Sequence, residues 1–296
     1  MPFLQVHLTL DDLAPEAAEA ACFAAGALAV TLTDAGDAPI LEPPPGATPL
    51  WPAVALAALY DVATAPQALA ARLRATLDRP SLALRFEVLQ DRAWEREWLK
   101  DFQPMRFGRR LWICPGGQPP PAAPAGAAAV VVWLDPGLAF GSGTHATTAL
   151  CLEWLDGAAL AGRRVLDVGC GSGILSVAAL ALGAATAHAI DIDPQALVAT
   201  RDNAARNGVG AALSVAPAAG PWGSGYDLVL ANILAEPLVA LAPSIAAAAA
   251  PSAEVVLSGL LSEQADAVTA AYAPWFDMSL RRERDGWAGL AGRRRR

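Results

Sequence analysis

VLDVGCGSG, Val165 to Gly173, followed by HAIDID, His188 to Asp193, is the stretch that decides the fold. An apolar run reaches Asp167 and turns through Gly169, Gly171 and Gly173, and a second apolar run ends at Asp191. An open α/β sheet builds a nucleoside pocket in this way, at the carboxyl ends of its first two strands, with glycine where backbone and ligand come close. A lone G-x-G implies no more than a tight strand-to-helix turn. A strand before it, a helix after it and an acid closing the next strand point to a Rossmann-like sheet that holds an adenosine.

What the turn lacks narrows the ligand. A dinucleotide fingerprint puts a third glycine three positions after the second, so that a helix N-terminus can approach a pyrophosphate; counting from Gly171, that position is Ile174. No basic residue stands beside the turn, nor the lysine and hydroxyl pair of a P-loop. An adenosyl ligand without phosphate fits better. S-adenosylmethionine is the candidate: Asp167 tolerates its ammonium and sulfonium charges, and Asp191 accepts from its ribose hydroxyls.

At 296 residues the chain is long enough for two domains, each with a core. Its longest apolar stretch, Leu238 to Ala250, is broken by Pro243 and Ser244 and is too short for a membrane span. No basic region leads into an apolar block at the N-terminus, so the expectation is a soluble cytoplasmic monomer. Cys22, Cys114, Cys151 and Cys170 lie far apart, and His7, His145 and His188 have no metal-ligand spacing, which predicts reduced thiols and no metal. Cys170, inside the glycine turn, has no histidine near it in sequence and reads as a small buried thiol. A net charge of −8 disfavours free nucleic acid and favours a basic protein partner. The closing arginines, Arg293 to Arg296, read as a disordered tail.

Along residues 1–90 the pattern is β-α-β-β-α-β: strands near Phe3–Leu10, Ala27–Thr33, Val54–Tyr60 and Leu82–Leu89, helices over Pro15–Ala25 and Pro66–Leu77, and a proline-rich loop at Pro43–Pro49. That order predicts a small ferredoxin-like α+β domain. Residues 91–103 include DRAWEREWLKDF, with Trp94, Trp98 and Phe102 at four-residue spacing, the apolar stripe of a short helical linker. Residues 104–296 are expected to form a second, catalytic domain. A loop of proline, glycine and alanine spans Pro115–Ala129. After it come a strand at Val130–Leu134, a glycine hinge FGSGT at Phe140–Thr144, and a helix to Leu155. Strands near Val165–Val168, Ala187–Asp191, Leu213–Ala216, Leu228–Ala231 and Val255–Ser258 alternate with helices and predict a largely parallel sheet, closed by a hairpin of Phe276–Arg281 and Trp287–Ala291.

Asn232 ends the strand YDLVLAN, at the edge where such sheets place reacting groups. Its carbonyl can accept from an incoming amine and aim the nitrogen lone pair; the competing reading is a cap for the helix at Glu236. A lysine amine with pKa about 10.4 costs about 4.6 kcal/mol to neutralise at pH 7, an α-amino group about 1.4. A desolvating pocket beside a sulfonium lowers that cost. Thr144, His145, Thr147 and Thr148 follow the hinge, where hydroxyls reach the methionine end of such a ligand and Phe140 faces its sulfonium, or where each simply caps or packs.

These residues resemble a known family, the S-adenosylmethionine-dependent methyltransferases of large-subunit ribosomal protein eleven, PrmA. The resemblance covers essentially the whole chain and rests on WEREWLKDFQPMRFG (Trp94–Gly108), LDPGLAFGSGTHATTALCLEWL (Leu134–Leu155), LDVGCGSGILSVAALALGA (Leu166–Ala184), IDIDPQAL (Ile190–Leu197), RDNAARNGV (Arg201–Val209) and LVLANILAEPL (Leu228–Leu238). It implies an N-terminal domain that recognises the ribosomal protein, a linker that lets it move, and a C-terminal domain that trimethylates lysine side chains and the N-terminal amine. It also implies cofactor contacts at Thr148, Gly169, Asp191 and Asn232, with Gly171 and Ile192 beside them. Related amide and adenine methyltransferases carry N-P-P-Y where this chain has Asn232-Ile233-Leu234-Ala235, which points away from those substrates. Ser142 stands where the family usually has threonine.

Overall fold

The computed structural model describes residues 2–36, 49–89, 103–116, 118–121, 129–134 and 143–295. The chain divides into two compact units, 1–93 and 94–296. Residues 91–102 of the linker helix expected over 91–103, most of the Pro43–Pro49 loop, part of the Pro115–Ala129 loop, and Phe140 to Ser142 of the glycine hinge lie outside the described residues.

In the first unit, β1 (Phe3–Thr9), β2 (Ala29–Asp34), β3 (Val54–Asp61) and β4 (Arg85–Leu89) form an antiparallel sheet in the order β2-β3-β1-β4. Alternation decides the faces: Leu4, Val6 and Leu8 of β1 and Leu56, Ala58 and Tyr60 of β3 are buried. They share a core with α1 (Pro15–Ala24) and α2 (Pro66–Thr76), which supply Ala18, Ala21, Cys22, Leu69 and Leu73. Each helix opens on a proline in its first turn, where the missing N–H costs nothing. β4 begins at Arg85 rather than Leu82, because Leu82 is held in a turn by its N–H bond to the Arg79 carbonyl.

In the second unit the predicted strand β7 (Val130–Leu134) belongs to a small sheet with two strands that the sequence pattern does not announce, β5 (Met105–Phe107) and β6 (Leu111–Pro115). The β5–β6 turn is fastened from a distance. Asp156, at the end of helix α3 (Ala146–Gly157) and 8% exposed, accepts N–H bonds from Arg109 (2.6 Å), Arg110 (3.2 Å) and Leu111 (3.1 Å). Gly108 has φ +67°, and a Cβ there would overlap the Asp156 carboxylate. Asp156→Ala leaves these donors unpaired. The expected loss is about 2–4 kcal/mol, read as a lower urea midpoint with an unchanged m-value; an unchanged midpoint would show that water replaces the carboxylate.

The large sheet has the order β10-β9-β8-β11-β12-β14-β13. Its parallel part is β8 (Arg164–Val168), β9 (Thr186–Asp191), β10 (Leu213–Pro217), β11 (Tyr226–Asn232) and β12 (Ala249–Leu261). β13 (Phe276–Arg284) and β14 (Trp287–Arg294) close it as an antiparallel hairpin. Both faces are covered, which explains the unbroken apolar runs of its central strands. Leu228 and Leu230 enter one core with α3 and α4 (Ile174–Ala181); Val229 and Ala231 enter the other with α6 (Ala235–Ala248) and α7 (Ala265–Tyr272). Between β9 and β10 runs α5 (Pro194–Arg206), started by Asp193, whose carboxylate accepts from the Gln195 N–H at 2.8 Å, and ended by Gly208 at φ +68°.

The arginine tail needs correction. Arg293 and Arg294 belong to β14, paired with Asp277 and Phe276, and Arg295 donates its N–H to the Trp275 carbonyl. A run of like charge suggests unpinned chain, but main-chain pairing holds Arg293 and Arg294 regardless of side-chain charge.

Candidate active site

The glycine turn leaves the carboxyl end of β8 and is tied to β9: the N–H groups of Gly169 and Cys170 donate to the Ile190 carbonyl at 2.9 and 3.1 Å. Gly173, φ +78°, ends it where a Cβ would lie 3.0 Å from the Thr200 Cα, so α5 packs directly on the turn. The motif RDNAARNGV acts from that helix together with Thr200. Thr200 Oγ1 donates to the Gly171 carbonyl at 3.0 Å, Asn203 Nδ2 to the Ser172 carbonyl at 2.9 Å, and Asn207 clamps both N–H and C=O of Trp133 at 2.8 and 2.7 Å. One helix therefore fixes the turn and β7 together.

Asp191, at the end of β9, accepts from the Gly171 N–H at 2.9 Å and the Asp193 N–H at 3.0 Å. Each carboxylate oxygen keeps lone-pair capacity for a hydroxyl. Ile192 beside it is 89% exposed, a bare apolar plate next to an acid. Asp167, 1% exposed, takes the Ser176 N–H (3.1 Å) and hydroxyl (2.6 Å) on Oδ2, while Oδ1 is buried without a hydrogen-bond partner. Burial pushes its carboxyl up to about 6.

On the neighbouring strand, Asn232 donates from Nδ2 to Thr148 Oγ1 at 3.2 Å. The bond joins the end of β11 to the first turn of α3. Asn232 caps no helix: α6 starts after Leu234, with no side-chain cap. His145 is the cap of α3, its Nδ1 accepting the Thr147 N–H at 3.3 Å. Ile233 connects the two halves of the site, because a Cβ on Gly169 would overlap its Cγ2. Thr148, Gly169, Gly171, Asp191, Ile192 and Asn232 thus meet along the carboxyl edge of β8, β9 and β11.

Sequence reasoning missed Gly259 and Ser258. Gly259, φ +88°, lets β12 run against the Ile233 backbone; a Cβ would come 2.7 Å from the Ile233 carbonyl carbon. A glycine inside an apolar strand was the available signal. Cys170 is 5% exposed, and burial pushes its thiol up to about 12, as it does that of Cys151, so neither is a nucleophile at neutral pH. No group of three or more metal-ligating side chains that could hold an ion occurs among the described residues. No described helix is long and apolar enough to cross a membrane. A groove of about 770 Å³, lined by His7, Asp11, Arg79 and Arg85, belongs wholly to the first unit and carries none of this chemistry.

The family model described as ribosomal protein L11 methyltransferase (PrmA) matches residues 2–295. The chain belongs to this family. The ribosomal protein L11 methyltransferase of Pseudomonas aeruginosa is 51% identical over 297 residues, covering 100% of this chain and 99% of that protein. The one from Methylococcus capsulatus is 50% identical over 296 residues, covering 98% and 99%. A solved ribosomal protein L11 methylase from Lactobacillus delbrueckii subsp. bulgaricus shares 32% identity at a TM-score of 0.57, covering 66% of this chain and 99% of that one. The chain is therefore an S-adenosylmethionine-dependent methyltransferase. The residues at the turn fit that donor: Asp167 and Asp191 suit cations and hydroxyls, an orphaned carboxylate oxygen suits an ammonium, and the turn's own sequence, Gly169 to Gly173, holds no basic residue for a phosphate.

Proposed function

We propose that this chain methylates amines of ribosomal protein L11, carrying lysine side chains and the N-terminal α-amine to the trimethyl state. The Asn232–Thr148 pair at the carboxyl edge of β11 is the observation that carries this reading. S-adenosylmethionine, when bound, supplies a methyl group made electrophilic by a sulfonium. Gly169 and Gly171 would give the backbone its close approach to the ligand, Asp191 would accept from its ribose hydroxyls, and Ile192 would lie against its base. Thr148 and Asn232 would hold its methionine end.

Asn232 also orients the acceptor. Its bond to Thr148 uses one N–H and leaves a carbonyl to receive an amine N–H, so the amine lone pair faces the reacting carbon. No charged group is needed for that task. A neutral amide suits it because a carboxylate would favour the unreactive ammonium. Residues 1–90 serve as a ferredoxin-like recognition domain, supported by the strand order β2-β3-β1-β4 with both helices in one core. Residues 91–103 link it to the catalytic domain, 104–296, and the enzyme works as a cytoplasmic monomer without binding nucleic acid directly.

Incubation with methyl-labelled S-adenosylmethionine and L11 is expected to label L11, with mass shifts of three methyl groups on individual amines. Label on ribosomal RNA, or none on L11, would reject the assignment. The Asp167 carboxylate adds a pH dependence. Its ionised form would hold the ligand's ammonium, and its raised pKa means that form is lost as pH falls through about 6. The Kd for S-adenosylhomocysteine is expected to rise by up to about tenfold per pH unit below 6, and Asp167→Asn to flatten that rise. Calorimetry showing equal affinity at pH 5 and pH 7 in the parent would remove Asp167 from the site.

A further inference from the structure

Asn232 is held from two directions that meet again elsewhere. On one side its amide reaches Thr148, whose neighbour Thr147 donates its N–H to His145 Nδ1 at 3.3 Å, with Thr147 Oγ1 at 2.8 Å from the same nitrogen. On the other side Asn232 lies in register with Ser258 of β12, and Ser258 Oγ donates to the Ala288 carbonyl at 3.0 Å. Ala288 follows Trp287, and the Trp287 ring meets the His145 ring edge-on, with centroids 4.7 Å apart at 71°. The contacts close a ring: Asn232, Thr148, Thr147, His145, Trp287, Ala288, Ser258. Thr147, Thr148 and Ser258 are each 2% exposed or less, so water cannot take over their hydrogen bonds.

Every link but one is a hydrogen bond, a strand pairing or a chain neighbour. The exception is the aromatic contact between a helix cap and the last hairpin of the sheet. We infer that His145 and Trp287 form a clasp that fixes the orientation of the Asn232 amide, which makes both positioning residues for methyl transfer. Without the clasp, core packing of α3 on the sheet still sets the spacing of the elements, but the aromatic tie between the His145–Thr148 turn and the β12–β14 pair is lost. An aromatic pair of this geometry is strong enough to bias an amide rotor without holding up the fold.

The inference rests on the amine-methylation reading for its kinetic arm only. In the full chain, Trp287→Ala is expected to lower kcat about tenfold, with KM for L11 and Kd for S-adenosylhomocysteine within about twofold of the parent. Trp287→Phe, which keeps an aromatic edge, restores most of the rate. In an Asn232→Ala background, Trp287→Ala is expected to cost less than about twofold, because the clasp acts through that amide. The second readout needs no turnover: the Asn232 side-chain amide signals in the 15N spectrum, identified by their loss in Asn232→Ala, should move in Trp287→Ala and in His145→Asn and stay in Trp287→Phe. If Trp287→Ala unfolds, Trp287→Leu fills the space without an aromatic face and takes its place. Unmoved amide signals, or losses that multiply across the two backgrounds, would overturn the clasp. A parent that labels no L11 while the amide signals move as expected would reject the proposed function and keep the clasp.

Discussion

Asn232→Ala is expected to lower kcat/KM for L11 methylation about 100-fold, most of it in kcat, with S-adenosylhomocysteine affinity reduced less than about tenfold. The reasoning is geometric. The amide is the one polar side chain at the end of β11, and its Nδ2 is committed to Thr148 at 3.2 Å, so its carbonyl has a defined direction. Removing it leaves an amine to find its in-line geometry unaided. Asn232→Asp separates orientation from charge, because it keeps the shape and adds a carboxylate that stabilises the protonated amine. Its rate is expected to recover as pH is raised, whereas the alanine variant stays low at every pH. Parent-like turnover in Asn232→Ala with cofactor bound normally would remove the role assigned to this residue.

Gly259→Ala is expected to destabilise the protein by about 3–5 kcal/mol, the largest stability effect of any single methyl group considered. Two costs coincide. The backbone sits at φ +88°, where an L side chain is strained, and the new Cβ would fall 2.7 Å from the carbonyl carbon and 2.8 Å from the nitrogen of Ile233. Those atoms are main chain just past the end of β11, where the Ile233 N–H donates to the Ser258 carbonyl at 3.1 Å, and cannot rotate away. Relief has to come from separating β11 and β12 at the level of Asn232, so residual folded protein should also lose methylation. Chemical unfolding followed by circular dichroism measures the first effect; a midpoint within about 1 kcal/mol of the parent would show that the strands part easily there.

The glycine turn, the acid ending β9 and the polar end of β11 were legible because each depends on residues close in sequence. Gly169 to Gly173 with Asp167, and Asp191 with Asp193, are local patterns with local reasons. The alternation of strands and helices, and the antiparallel hairpin at the end, follow from periodicity in the same way. β5 and β6 were not legible, since their turn is organised by Asp156, 45 to 47 residues away. His145 stood among four candidates without a distinguishing mark; its cap geometry depends on where α3 starts, and its ring contact is made by a residue at the far end of the chain. Gly259 looked like one more small residue in an apolar strand. The closing arginines were not legible as a strand because their charge pattern carries no sign of the register that pairs Gly292 with Met278 and Arg293 with Asp277.

The outermost strands of the large sheet are finished differently from its interior. On one side β10 ends in Pro217, which has no N–H to offer, and the Arg201 guanidinium takes the Val215 carbonyl at 3.0 Å. On the other side β13 carries Arg281, Arg282 and Arg284 close together. The proline leaves the β10 rim one donor short of a continuous ladder, and at the β13 rim Arg281 is paired with Asp266 and Glu283 and Arg284 with Glu153; charged side chains and a proline at a sheet border both disfavour strand addition.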